Sequence, residues 1–180
     1  MVLNFGSMSG MFPSSNAVGE GMNSDFKTHI SLYDVGVGSG MLIPVFNVNY
    51  WTVIQGTWSV TYNAGANPFG TLLLNGATHA DGDEINIDIV VPKGTYTIYV
   101  IYYATTAGGI ADLSVDDVAI GSIDHYDAGG ANWNKQTTFP NIVVEEDGVS
   151  TFKCKVNGQN PASSNHYIYF QYIHLVRLAV

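Results

Sequence analysis

The sequence predicts an all-β fold, an antiparallel sandwich of jelly-roll type, and three observations carry that reading. Only 12% of the 180 residues are charged while 46% are hydrophobic, and the apolar set is rich in valine, isoleucine and tyrosine, which suit a pleated, half-buried surface better than a helix. From about Val45 onward apolar residues recur at every second position, and no stretch keeps a helical period. Eight or so such segments follow one another at spacings of roughly eight to fifteen residues, separated by glycine, proline and acidic turns, as in a sandwich.

Residues 1–44 stand apart from this pattern. All five methionines (Met1, Met8, Met11, Met22 and Met41) fall there among many glycines, and neither period persists, so the segment cannot bury a core by itself. It reads as an irregular arm for assembly or attachment. Met8, Met11, Phe12 and Met22 supply adaptable apolar side chains for packing on a neighbouring subunit. "VGVGSG" (35–40) has no following helix and no lysine, so it reads as a flexible joint and not as a phosphate-binding loop.

The sandwich domain spans 45–180. "YWTVIQGTWSVTY" (50–62) holds two short strands around Gly56. The clearest alternation follows, with Ile85, Ile87 and Ile89 set against Glu84, Asn86 and Asp88, so one face is buried and the other wet. Pro92, Lys93 and Gly94 make a turn. Tyr96 to Tyr103 then form a strand that is apolar on both faces and therefore central. Ala111, Leu113 and Val115 alternate with Asp112, Ser114 and Asp116, and Asp116-Asp117 sits where a tight hairpin turn belongs. Val118 to Ile123 return as a strand into the loop "DHYDAGGANWNKQ" (124–136). Two further strands flank the acidic turn Glu145 to Gly148, and "HYIYFQYIHLV" (166–176) closes the domain.

Composition excludes several functions. A net charge of -9, with Lys and Arg together numbering 6, argues against a nucleic-acid partner, which needs clustered cations to meet phosphates. The single cysteine, Cys154, alternates with lysines in "STFKCKVNG" and reads as a small buried residue, so no internal disulfide framework is expected. The first residues lack the basic and apolar regions of a secretory signal, and no run has the length of a membrane span, so the expectation is a chain made in a cytoplasm without a signal peptide and without membrane insertion.

Catalytic motifs are missing from the sequence, and no enzyme activity is expected. His166 and His174 share a strand but stand about 26 Å apart at strand rise, too far for one metal. The acidic pairs Asp116-Asp117, Glu145-Glu146 and Asp81/Asp83 fall at turns, where solvated carboxylates are ordinary.

The loop at 124–136 is the candidate recognition element. Sugar binding uses an aromatic plane to stack on a pyranose and flanking amides and carboxylates to bond hydroxyls. Tyr126 and Trp133 beside Asp124, Asp127, Asn132 and Asn134 supply both. The alternative is that Trp133 tucks back onto the sandwich edge while the asparagines satisfy loop backbone. In the closing strand a two-residue period places Tyr167, Tyr169, Gln171 and Ile173 on one face and Ile168, Phe170, Tyr172 and His174 on the other. One face lines the core, and Tyr167, Tyr169 and Tyr172 become interface candidates, since tyrosine tolerates both water and burial.

Three stretches, "GTYTIYVIYYA", "ADLSVDDVAIGSID" and "TFKCKVNGQNPASSNHYIYFQYIHL", resemble the jelly-roll carbohydrate-binding modules of families six and thirty-five, over about Trp51 to Leu178. "VNGQNPASSNHYIYFQYIHL" is also similar to the closing loop and aromatic strand of sandwich modules in tailed-phage particle proteins. The first resemblance implies glycan binding. The second implies a virion-surface structural protein, such as a decoration, fibre or spike component, forming a homo-oligomer such as a trimer and contacting other particle proteins and host glycans. Two departures stand out. Asp116-Asp117 replaces the usual Asn-Gly or Asp-Gly turn, and the last strand has no acid of the kind that holds the families' structural calcium, so no cofactor is expected, although Asp81, Asp83 and Glu84 leave calcium open. The leading expectation is the particle protein, with the glycan-binding module using the 124–134 loop as its alternative.

Overall fold

The computed structural model describes residues 30–31, 38, 40–43, 45, 47–63, 70–76 and 79–180. The interface candidates Met8, Met11, Phe12 and Met22 lie outside the described residues. Among the described residues twelve strands follow in chain order: β1 (Ile30–Ser31), β2 (Gly40–Ile43), β3 (Thr52–Gln55), β4 (Trp58–Tyr62), β5 (Thr71–Asn75), β6 (Glu84–Val91), β7 (Gly94–Ala104), β8 (Gly109–Val115), β9 (Val118–Asp124), β10 (Asn132–Val144), β11 (Gly148–Gln159) and β12 (Tyr169–Ala179). They form two six-stranded sheets. One runs β1-β6-β11-β8-β9, with β3 also on β6; the other runs β10-β7-β12-β5-β4, with β2 also on β12. The pairings are antiparallel except for the short β1–β6 contact. The all-β antiparallel sandwich expected from the sequence is the observed architecture.

Alternation builds the core directly. Along β6 and β8 every second residue is buried, and Ile85, Ile87, Ile89 and Leu113 meet Ile98, Phe170, Ile173 and Leu73 in one cluster. Phe152 is fully buried there, edge-on to Trp51 with ring centroids 6.4 Å apart. Cys154 is also buried, and burial pushes its thiol pKa well up, so it packs as an inert small hydrophobe.

Several local expectations resolve physically. β7 lies between β10 and β12, the central place its two apolar faces require. The strands on either side of Gly56 (φ +81) divide between the sheets, β3 pairing with β6 and β4 with β5. Asp116 (φ 50) and Asp117 (φ 63) form the two-residue hairpin between Val115 and Val118. A turn with both central residues left-handed matches strand twist, and aspartate tolerates that conformation. Asp116 Oδ1 accepts the Thr151 N–H and Asp117 Oδ1 accepts from Lys153 Nζ, tying the turn to β11.

Within the segment read as an irregular arm the described residues include β1 and β2, and Met41 and Ile43 of β2 are core residues. Two other expectations are corrected. The loop read as 124–136 ends earlier, because β10 begins at Asn132. In β12 the strict two-residue period fails: a register shift between Phe170 and Tyr172 inserts Gln171 into the ladder. Phe170, Gln171 and Ile173 are therefore all buried, while Tyr169, Tyr172 and His174 are half-exposed on the other face. A bulge adds one residue and reverses the facing of everything beyond it.

Phe152→Ala is expected to lower the unfolding free energy by about 3–5 kcal/mol, since the enclosed ring leaves a cavity. Urea denaturation checks this, and a loss below about 1 kcal/mol would place Phe152 outside the core.

Candidate functional site

One end of the sandwich gathers four connections: residues 79–83 ahead of β6, 105–108 after β7, 125–131 after β9 and 160–168 before β12. The backbone there is closely drawn together. Thr105 bridges Tyr126 and Gly108 bridges Tyr167, and a Cβ on Gly108 would collide with the His125 carbonyl. Only glycine admits that approach.

A row of rings crosses this end. Trp133 lies against Tyr103 with centroids 4.1 Å apart, Tyr103 meets the edge of Tyr169 at 5.2 Å, Tyr169 stacks on Tyr167 at 5.4 Å, and Tyr167 meets His79 at 3.9 Å. All five side chains are half-buried. Trp133, Tyr103 and Tyr169 come from β10, β7 and β12, while Tyr167 and His79 come from the connections ahead of β12 and β6, so elements distant in sequence contribute to one surface. Burial beside Tyr167 and Tyr103 pushes the Tyr169 phenol well above its ordinary value, keeping it a neutral donor and acceptor. Tyr172, the remaining interface candidate, packs against the core cluster.

The polar set predicted around Trp133 is drawn into the scaffold. Asp124 accepts from the Tyr126 N–H at 2.8 Å and from Asn160 Nδ2 at 2.8 Å, joining the loop to the approach of β12. Asp127 accepts from the Gly129 N–H, from Asn132 Nδ2 and from Lys135 Nζ. Its pKa is held below the usual carboxylate range, first by the Asn132 bond and then by Gly129 and Lys135. Asn134, at φ 60, forms a reciprocal pair with Gln171: its N–H donates to Oε1 at 2.8 Å and its Oδ1 accepts from Nε2 at 2.7 Å. The bulge residue of β12 thus fixes the backbone beside Trp133. Trp133 rests on the sheet as one member of an aromatic row. Tyr103, Tyr167, Tyr169, Gln171 and Lys135 were not foreseen as parts of this site.

Two buried side chains hold the row from behind. Asn75 is fully buried in β5, donating to the His166 carbonyl and accepting from the Ile168 N–H, both at 2.8 Å, in the manner of a strand neighbour. His125, also fully buried, sits between Tyr102 and Phe170 with centroids at 4.8 and 5.5 Å. Its Nδ1 is 3.2 Å from the Tyr103 carbonyl oxygen and 3.4 Å from the Tyr169 nitrogen. Nε2 has no hydrogen-bond partner among the described residues.

Among the described residues no three His, Cys, Asp or Glu side chains come together to hold a metal. Of the acids that left calcium open, Asp83 is buried and accepts from the Ala80 N–H, while Asp81 accepts from the Gly158 N–H, so both serve the turn into β6. Glu84 lies within 3.8 Å of the ammonium groups of Lys153 and Lys155.

No protein-family model and no curated protein sequence matches the chain. Solved structures do share its fold. A Paenibacillus xanthan lyase superposes with TM-score 0.60 at 23% identity, over 70% of this chain and 12% of the lyase. A family 35 carbohydrate-binding module from Clostridium thermocellum gives 0.55 at 15% identity, over 76% of this chain and 98% of the module. The CBM36-1 domain of a xylanase from the hindgut metagenome of Trinervitermes trinervoides gives 0.53 at 14% identity, over 76% and 96%. The chain thus spans a small part of the lyase and nearly the whole of the two modules. At these identities the likeness establishes a shared β-sandwich fold. None of these three is a viral particle protein.

Burial pushes the His125 pKa down to about 4, with the Tyr103 hydrogen bond and Asp124 opposing and Lys135 assisting. The unfolded chain takes up this proton near pH 6.5 and the folded chain only near 4. Falling pH therefore favours unfolding across that window, and stability is level above it. Between pH 7 and pH 5 the wild type is expected to lose on the order of 2 kcal/mol more than His125→Phe, which keeps a ring between Tyr102 and Phe170. Urea titrations at the two pH values measure the difference, and equal losses would mean that His125 is not buried as described.

Proposed function

We propose that this domain is a non-catalytic glycan-binding module whose binding surface is the aromatic row beside the loop at 124–134. The observation that carries the reading is the contact series Trp133, Tyr103, Tyr169 and Tyr167 on one end of the sandwich. Half-exposed rings in series present apolar planes to successive sugar faces, and neighbouring polar groups bond hydroxyls. Lys135 Nζ and the Asp127 carboxylate retain donor and acceptor capacity beyond their mutual bond at 3.3 Å. The set Asp124, Asn132 and Asn134 orients the loop. Tyr167 and Tyr169, expected at a subunit interface, belong to the binding row in this reading.

The fold likenesses support the same reading. Two of the similar structures are named as carbohydrate-binding modules, and nearly their whole length matches this chain. The virion role, the homo-oligomer and the particle partners expected from the sequence have no such support.

The test is isothermal titration with xylo-oligosaccharides and xanthan-derived oligosaccharides, followed by variants on the best binder. Trp133→Ala and Tyr103→Ala should each weaken binding about tenfold or more, about 1.4 kcal/mol, while far-ultraviolet circular dichroism stays unchanged. Binding unaffected by both variants would overturn the placement. No binding to either series, nor to a wider glycan array, would overturn the function.

A further inference from the structure

The opposite end of the sandwich carries a second surface. There, among the described residues, β9 is the edge of one sheet and β10 the edge of the other; β9 pairs only with β8, and β10 only with β7. Between these two edges runs a groove of about 310 Å³ with Val118, Ile120, Ile142 and Val143 among its walls. It continues into a second hollow of about 280 Å³ between the 116–117 and 145–148 turns, reaching Val149. Val118 is 69% exposed, Val143 56% and Val149 55%, far more than other valines of the sandwich such as Val100 and Val156, which are fully buried.

The rim has one sign of charge. Asp116, Glu145, Glu146 and Asp147 border the hollow, and among the described residues neither lining includes a lysine, an arginine or a histidine. Asp116 and Asp147 each also accept a backbone N–H, whereas Glu145 and Glu146 enter no ion pair among the described residues. An apolar floor between two strand edges with a wholly acidic border fits one kind of occupant. It suits an extended segment whose alternate residues are apolar and whose intervening residues are basic, because free strand edges offer main-chain hydrogen bonds and pockets take every second side chain. A second copy of this chain fits poorly, because it would bring the same acidic rim and a net charge of -9.

We infer that this groove is a docking site for an extended, lysine- or arginine-containing segment of a partner polypeptide. The site lies at the end of the sandwich away from the aromatic row, so segment and glycan can be held together. Such an arrangement would attach a glycan-binding domain to a protein that must be kept near its glycan.

The test uses a fluorescein-labelled seven-residue peptide of alternating lysine and valine, with a glutamate–valine peptide as control, and reads fluorescence anisotropy on the full chain. The lysine–valine peptide should bind and the control should not, with affinity falling as salt rises from ~0.05 M to ~0.3 M. Val143→Asp and the double change Glu145→Lys with Glu146→Lys should each weaken binding about tenfold or more, while Trp133→Ala leaves it unchanged. All of these substitutions are at exposed or half-exposed positions. Equal binding of the two peptides, or groove variants that bind like the wild type, would overturn the inference. Concentration-dependent dimerisation by light scattering, lost in Val143→Asp without any peptide binding, would assign the groove to a second copy instead.

Discussion

The site depends on one local irregularity, the extra residue that Gln171 inserts into β12. A regular strand there would bury alternate residues throughout, and the run from Tyr169 to Leu175 would have to place either Phe170 or Ile173 in water. The bulge allows Phe170, Ile173 and Leu175 to enter the core together and leaves Tyr169, Tyr172 and His174 outside it. It also turns an amide inward, where it would be costly to leave without partners. The Asn134 backbone and side chain satisfy that amide, and in doing so they fix the residue next to Trp133. Core packing, loop geometry and the aromatic surface are therefore consequences of the same inserted residue.

The two ends of the sandwich are built on different physics. At one end, long connections approach closely through Gly108, and carboxylates and amides bond one another and the loop backbone, so rings are held in place by a polar lattice. At the other end the turns at 116–117 and 145–148 border the hollow, and valines on β9, β10 and β11 remain open beside acids. One core cluster fills the sandwich between them. His125 lies beneath the row, with its Nδ1 beside the backbone of both β7 and β12.

Much of the architecture was legible because alternation is a direct image of burial. The Ile85, Ile87 and Ile89 series, the central place of Tyr96 to Tyr103 and the Asp116-Asp117 hairpin all follow from local pattern. The site was legible only in part. Trp133 stands out as a tryptophan among asparagines in a glycine-rich loop. Tyr103 and Tyr169 do not, because each lies in an aromatic-rich strand and only the register of β7 against β12 brings their rings together. The bulge at Gln171 had one trace in the sequence, an amide amid apolar residues, but a two-residue period read straight through it gave the opposite facing. Strands β1 and β2 escaped notice because segments of 2 and 4 residues carry too few positions to show a period.

The central claim is that the aromatic row is a glycan-binding surface, and nuclear magnetic resonance of the isotope-labelled chain tests it most directly. Addition of an oligosaccharide that binds should shift the Trp133 indole N–H signal and the backbone signals of Tyr103, Tyr167 and Tyr169 more than any others, and should leave Val118 to Ile120 and Val143 unmoved. Shifts concentrated away from the row, or no shifts with any member of a broad oligosaccharide panel, would contradict the account.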